Sequence, residues 1–133
     1  IFIIPQIKLS SKSRFFEVVS KVFDEIHSKE FTELKIFVFD NIKSYEDYSP
    51  EERKKVERYI EIFEKFCFYI DKKLLSRKVF LDMYSRLVIK SWENLEDYIY
   101  VKRDKWRAIN YAEYFEKVCI VAKKYRRKKY KNR

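Results

Sequence analysis

Ser49-Pro50-Glu51-Glu52-Arg53-Lys54-Lys55-Val56-Glu57-Arg58-Tyr59-Ile60-Glu61-Ile62-Phe63-Glu64-Lys65-Phe66-Cys67-Phe68-Tyr69-Ile70-Asp71 is the stretch whose reading decides the fold. Ser49 can accept a bond from an orphan backbone N–H, and Pro50 suits the first helical position, where a missing N–H costs nothing. Glu52 stands three residues after Ser49, as a capping box requires, and two acids favour the positive end of the helix dipole. Behind this start Val56, Ile60, Phe63, Cys67 and Ile70 recur at spacings of four, three, four and three. That is one apolar stripe on a helix of about six turns, the central packing helix of an all-helical domain.

Working outward, the N-terminal part reads in three pieces. Residues 1–9 are expected to be an extended lead-in, because Pro5 disfavours helix at Ile4. Phe15, Phe16, Val18, Val19, Val22, Phe23 and Ile26 then form a helical stripe ending near Lys29. A shorter helix follows from about Phe31 to Ile42, with Leu34, Phe37, Val38 and Ile42 inward. Its run Lys35-Ile36-Phe37-Val38-Phe39 also suits a strand, but no partner strand of similar quality exists, so helix is preferred. Residues 44–49 read as a polar loop.

C-terminal to the central helix, Asp71-Lys72-Lys73 marks a short connection and Ser76 caps the next helix. That helix uses Val79, Phe80, Met83, Tyr84, Leu87 and Val88, then Trp92, Leu95 and Ile99. It either runs unbroken to about Lys105 or bends near Ser91. Asn110 opens the last helix, with Phe115, Val118, Cys119 and Ala122 inward. Short connections favour antiparallel neighbours. The expected fold is therefore all-α, an antiparallel bundle of four main helices with room for a fifth short one. Residues 1–122 form one domain and 123–133 a basic tail.

Composition narrows the chemistry. The 133 residues suffice for one domain with a real core, and 47% apolar content excludes a disordered chain despite 39% charged residues. The chain contains no glycine. That removes the phosphate-cradling loop, the dinucleotide fingerprint and the nucleophile elbow as candidate sites. Cys67, Cys119 and the single His27 cannot make a four-ligand Cys/His zinc site. Both cysteines lie on apolar stripes and read as small buried hydrophobes, and whether they pair stays open at this point. Carboxylate pairs at helical spacing, Glu57 with Glu61 and Glu93 with Asp97, stand among lysines and arginines and read as solvated ion pairs. A non-enzymatic protein is expected, with no cofactor, no metal and no small-molecule substrate. One Gln and four Asn suit a source living hot.

The charge is concentrated at one end. Lys123, Lys124, Arg126, Arg127, Lys128, Lys129, Lys131 and Arg133 place eight cations in the last eleven residues, with no acid among them. Without them the chain holds 23 basic against 21 acidic residues, so most of the net charge of +10 resides in the tail. Such a tail suits a polyanion, through phosphate neutralisation and counterion release. An anionic membrane surface or an acidic protein surface would also be matched. The bland alternative is a solubilising helix end. A second candidate interface is the turn carrying Trp106, Arg107, Arg103 and Tyr111, since Trp, Tyr and Arg dominate protein interfaces.

Two resemblances add to this. Phe31-Thr32-Glu33-Leu34, Ile60-Glu61-Ile62-Phe63-Glu64-Lys65, Leu74-Leu75-Ser76, Ser91-Trp92-Glu93-Asn94-Leu95, Lys102-Arg103 and Tyr114-Phe115-Glu116 resemble a helical family of unknown function from bacteria and archaea, whose members often carry a membrane helix before the soluble part. A small, basic, glycine-free, Lys/Ile/Tyr-rich bundle with a cationic end is also similar in kind to small proteins of viruses of hot-living archaea. Among them are the Acidianus two-tailed virus inhibitor of host RNA polymerase and its virion-protein relative. That second resemblance implies a viral protein occupying the polymerase's DNA channel, in host cytoplasm or virion. Host RNA polymerase or nucleic acid is then the expected partner. The rival expectations are a DNA-packaging virion protein and the soluble part of a membrane-anchored protein. The chain opens without Met, and about 20 apolar residues ahead of Ile1 would decide for the anchor.

Overall fold

The computed structural model describes residues 3–131, and their side chains from residue 14 onward. Five helices follow one another: α1 (Ile3–Ile26), α2 (Lys29–Asp40), α3 (Pro50–Asp71), α4 (Arg77–Trp106) and α5 (Glu113–Lys129), with one 3-10 turn at Tyr45–Asp47. No strand occurs among the described residues, so residues 35–39 belong to a helix and the fold is an all-α helical bundle.

α3 begins as its sequence dictates. The Ser49 hydroxyl accepts the Glu52 N–H at 3.2 Å and the Glu52 carboxylate accepts the Ser49 N–H at 2.9 Å, closing the capping box ahead of Pro50. Val56, Ile60, Phe63, Cys67 and Ile70 are all buried, joined by Tyr59, Ile62 and Phe66. α3 packs against α2 and α5, and α5 also packs against α4. At the centre Phe63 stacks on Phe115 of α5, with ring centres 5.0 Å apart, and touches Phe31 of α2 at 5.8 Å. The wider buried face follows from this flanking: a helix covered on two sides buries more than one stripe.

Several expectations are corrected. Residues 3–9 are helical rather than extended, because Pro5 stands in the first turn of α1, where its missing N–H has no helical partner to lose. Residues 1–2 lie outside the described residues. Of the α1 stripe, Val22 and Ile26 are buried while Phe15 and Phe16 are exposed. Ile42 is exposed because α2 stops at Asp40, before the register reaches it. In α4 Val79 and Met83 face outward, and Leu81, Ser85, Ser91 and Tyr98 are buried instead. α4 runs unbroken through Ser91, whose hydroxyl lies 2.8 Å from that of Tyr59. The segment read as a polar loop buries Tyr45 and Tyr48, which pack their rings on Tyr98.

Without glycine the helix ends are built from other residues. Lys73 adopts the left-handed conformation at φ 61°, and Leu74 N–H reaches back to Tyr69 at 2.8 Å while Lys73 N–H reaches Ile70 at 3.1 Å. Arg107, at φ 51°, closes α4 in the same way, with Ala108 N–H on Arg103 at 2.9 Å and Arg107 N–H on Asp104 at 3.5 Å. Both are Schellman ends, a motif in which glycine ordinarily avoids the Cβ penalty. α5 starts after a third left-handed residue, Ala112 at φ 61°.

Candidate polyanion-binding surface

The basic end of the chain is ordered as helix. α5 passes Ala122 without a break and continues to Lys129, so the cations at 123–129 have fixed directions set by the helical period. Two of them turn inward. Arg126 donates to the hydroxyl of Ser85 at 3.2 Å, and Lys129 lies 3.6 Å from the Asp82 carboxylate, both on α4. Lys129 also lies 5.5 Å from the Tyr125 ring centre and 5.8 Å from that of Tyr130. Lys123, Lys124, Arg127 and Lys128 are exposed and have no carboxylate partner among the described residues. Lys131 is exposed just beyond the helix, and Arg133 lies outside the described residues.

The exposed cations of α5 form two rows. Lys117, Lys124 and Lys128 share a stripe with Val121, while Lys123 and Arg127 lie one row further round. The first row borders two adjoining depressions between α5 and the start of α4. One, of about 630 Å³, is lined by Arg77, Lys78, Leu81, Val121, Lys124 and Lys128, with Tyr125. The other, of about 500 Å³, is lined by Lys73, Arg77, Lys117, Val118 and Val121, with Ile70 and Asp71. Arg77 and Val121 border both, so the two depressions adjoin along the seam of α4 and α5, here called the groove. Lys117 stands on α5 itself, at a helical spacing from Lys124 that groups it with the tail, whereas Lys73, Arg77 and Lys78 carry no such signal in the sequence. Packing the start of α4 and the connection before it against α5 brings those three to the surface.

Asp71 and Asp82 partly offset this charge. Asp71 is 3.7 Å from Lys72, and Asp82 is shared between Lys78 at 3.3 Å and Lys129 at 3.6 Å. α4 has no acid in its first turn, so Arg77 and Lys78 stand at the positive end of its dipole, where an acid would ordinarily be favoured.

The aromatic–basic turn divides differently from its sequence reading. Arg103 is mostly enclosed, donating to the Tyr111 carbonyl at 2.7 Å and to Glu116 at 2.9 Å, and so ties α4 to α5. Tyr111 is turned inward with its hydroxyl buried and without a hydrogen-bond partner among the described residues. Burial first, and then the charge of Glu57, push its ionisation well above the usual range. Trp106 and Arg107 do reach solvent, and Ile109, which the sequence reading missed, is 80% exposed beside them. Trp106 still donates its indole N–H to Tyr45 at 3.3 Å.

Several other titratable groups are held by partners inside the fold. Glu57 is held by Lys102 at 2.7 Å and by the Tyr98 hydroxyl, and Arg58 lies 3.4 Å from Glu61. Cys67 and Cys119 are both free and buried. Burial pushes the Cys67 thiol well up and the Cys119 thiol to about 11, which keeps both in the unreactive form. Among the described residues no group of His, Cys, Asp and Glu is placed to hold a metal ion, and no helix is long and apolar enough to cross a membrane.

Compared with known proteins, residues 8–121 match one family profile, described as Domain of unknown function (DUF4760). This meets the resemblance to a helical family of unknown function over a longer stretch than the quoted motifs span. No curated protein and no solved structure matches significantly, and the resemblance to archaeal viral proteins has no counterpart in these comparisons.

Proposed function

The chain belongs to the DUF4760 family, and from that premise we propose that it is a non-enzymatic binding protein whose partner is nucleic acid or the machinery that holds it. The observation that carries this reading is the set of exposed cations Lys123, Lys124, Arg127 and Lys128 along α5, none of them neutralised by a carboxylate among the described residues. Cations carried on a helix without internal carboxylate partners meet phosphates with no ion pair to break first, and each contact releases a counterion. The test is to replace Lys123, Lys124, Arg127 and Lys128 together by Gln and to measure DNA binding at low salt. The affinity is expected to fall at least a hundredfold while the helical circular dichroism stays unchanged. An unchanged affinity would return these cations to a solubilising role.

A protein component of that machinery is favoured by a separate observation: Trp106, Arg107 and Ile109 are exposed together at the α4–α5 turn. This is the composition of an interface anchor. RNA polymerase, the partner implied by the viral resemblance, is the most concrete version. It predicts inhibition of transcription in nuclease-treated extract, weakened by Trp106→Ala.

A further inference from the structure

We propose that the groove between the start of α4 and the end of α5 is a binding track for a single strand of nucleic acid. This rests on the polyanion reading above and names its ligand and its residues. The lining is the argument. Lys73, Arg77 and Lys78 stand on one side and Lys117, Lys124 and Lys128 on the other, with Asp71 the one acid among the described residues that borders it. Apart from Lys78, which is 3.3 Å from Asp82, none of these cations has a carboxylate partner among the described residues. Two facing rows of like charge repel each other, and an anion lying between them relieves both.

The base of the groove is of the opposite character. Leu81 and Val118 are buried beneath it, and Val121 and Tyr125 border it half-buried. A ligand that satisfies both features needs regularly spaced anionic groups and flat apolar faces, which is the make-up of an unpaired strand with splayed bases. A duplex presents its phosphates on a rod and keeps its bases stacked inside, so it meets the rims but cannot use the apolar base of the groove. From Lys117 to Lys128 α5 rises about 16 Å, the length of a few nucleotides. The outer row, Lys123 and Arg127, faces away from this track and offers only general attraction.

The experiment measures binding of the full chain to a fluorescent oligo-dT strand, to a duplex of equal length and to vesicles of mixed neutral and anionic phospholipid. It compares wild type with two charge-matched double variants, Arg77→Ala/Lys124→Ala in the groove and Lys123→Ala/Arg127→Ala outside it. All four positions are solvent-facing, and circular dichroism checks that both variants remain folded. Oligo-dT is expected to bind at least tenfold tighter than duplex. The groove variant should lose at least tenfold more affinity for it than the outer variant, with a salt slope reduced by about one to two. Equal losses in the two variants, with wild type still binding, would overturn the track and leave the general polyanion reading standing. Equal binding of strand and duplex would overturn the single-strand assignment. Vesicle binding without oligonucleotide binding would overturn both readings in favour of a lipid surface. No binding to any probe would overturn both.

Discussion

Glu64 of α3 accepts the backbone N–H of Phe115 at 2.8 Å and so caps a helix that cannot cap itself. α5 begins after Ala112, which has no side-chain acceptor, and its first N–H groups need a partner from elsewhere. A residue 51 positions away supplies it, and thereby fixes the helix that carries the basic surface. Burial raises the Glu64 ionisation above its ordinary value of 4.5, an effect that outweighs the opposing hydrogen bonds.

The pH dependence has a definite sign. A carboxyl whose folded value is raised binds its proton more tightly in the folded chain. Its contribution is fully present below the ordinary value and is lost as pH rises through the folded one. Glu64→Gln keeps an acceptor and removes the charge. In urea unfolding this variant should be more stable than wild type at pH 7.5, and that advantage should vanish below pH about 4.5. Glu64→Ala, which removes the cap, should cost about 1 kcal/mol. A Gln variant less stable than wild type at pH 7.5 would contradict the assignment.

Phe63 tests the core. Its ring is fully buried between Phe31, Tyr59, Phe66 and Phe115, so Phe63→Ala should cost about 3–5 kcal/mol in chemical denaturation. A cost below about 1 kcal/mol would show that the site collapses or that the stripe faces another way.

Two substitutions should stabilise. Arg107→Gly relieves a left-handed residue on an exposed helix end and should add about 1 kcal/mol. Tyr111→Phe removes a buried hydroxyl with no partner and should be neutral or stabilising, by up to about 1 kcal/mol. A clear loss in the second case would mean that the hydroxyl is hydrogen-bonded in solution, and a bridging water would be the first candidate.

The cysteines should be silent. Both thiols are buried with raised ionisation, so a thiol reagent at pH 7.5 should label neither until denaturant is added. Rapid labelling of the native protein would overturn their place in the core.

How much of this was legible in the sequence follows from how local each signal is. The capping box at Ser49 and Glu52, the stripe from Val56 to Ile70 and the inward face at Phe115, Val118, Cys119 and Ala122 depend only on spacing, and the structure agrees with all three. Tyr45 and Tyr48 were hidden because a polar-looking hexapeptide can bury rings when α4 supplies Tyr98 to pack against. Hydropathy points Val79 and Met83 of α4 inward, yet both are exposed, since the inward face is set by where α5 lies and not by hydropathy alone. The tail was visible as charge, but its division was not. Arg126 and Lys129 are drawn inward by Ser85 and Asp82, more than 40 residues earlier, and Arg77 joins the surface for the same tertiary reason. Truncation after Ala122 therefore removes anchored helix as well as free charge, and point substitutions test the surface more cleanly.

The most direct measurement is the salt dependence of oligonucleotide binding by the intact chain. If the exposed cations of α5 meet phosphates, the logarithm of the association constant should fall linearly with the logarithm of salt concentration. Each contact should contribute about 0.7 for a single strand, so a slope of about −3 corresponds to about four phosphate contacts. A slope near zero, or no binding at low salt, would contradict the account.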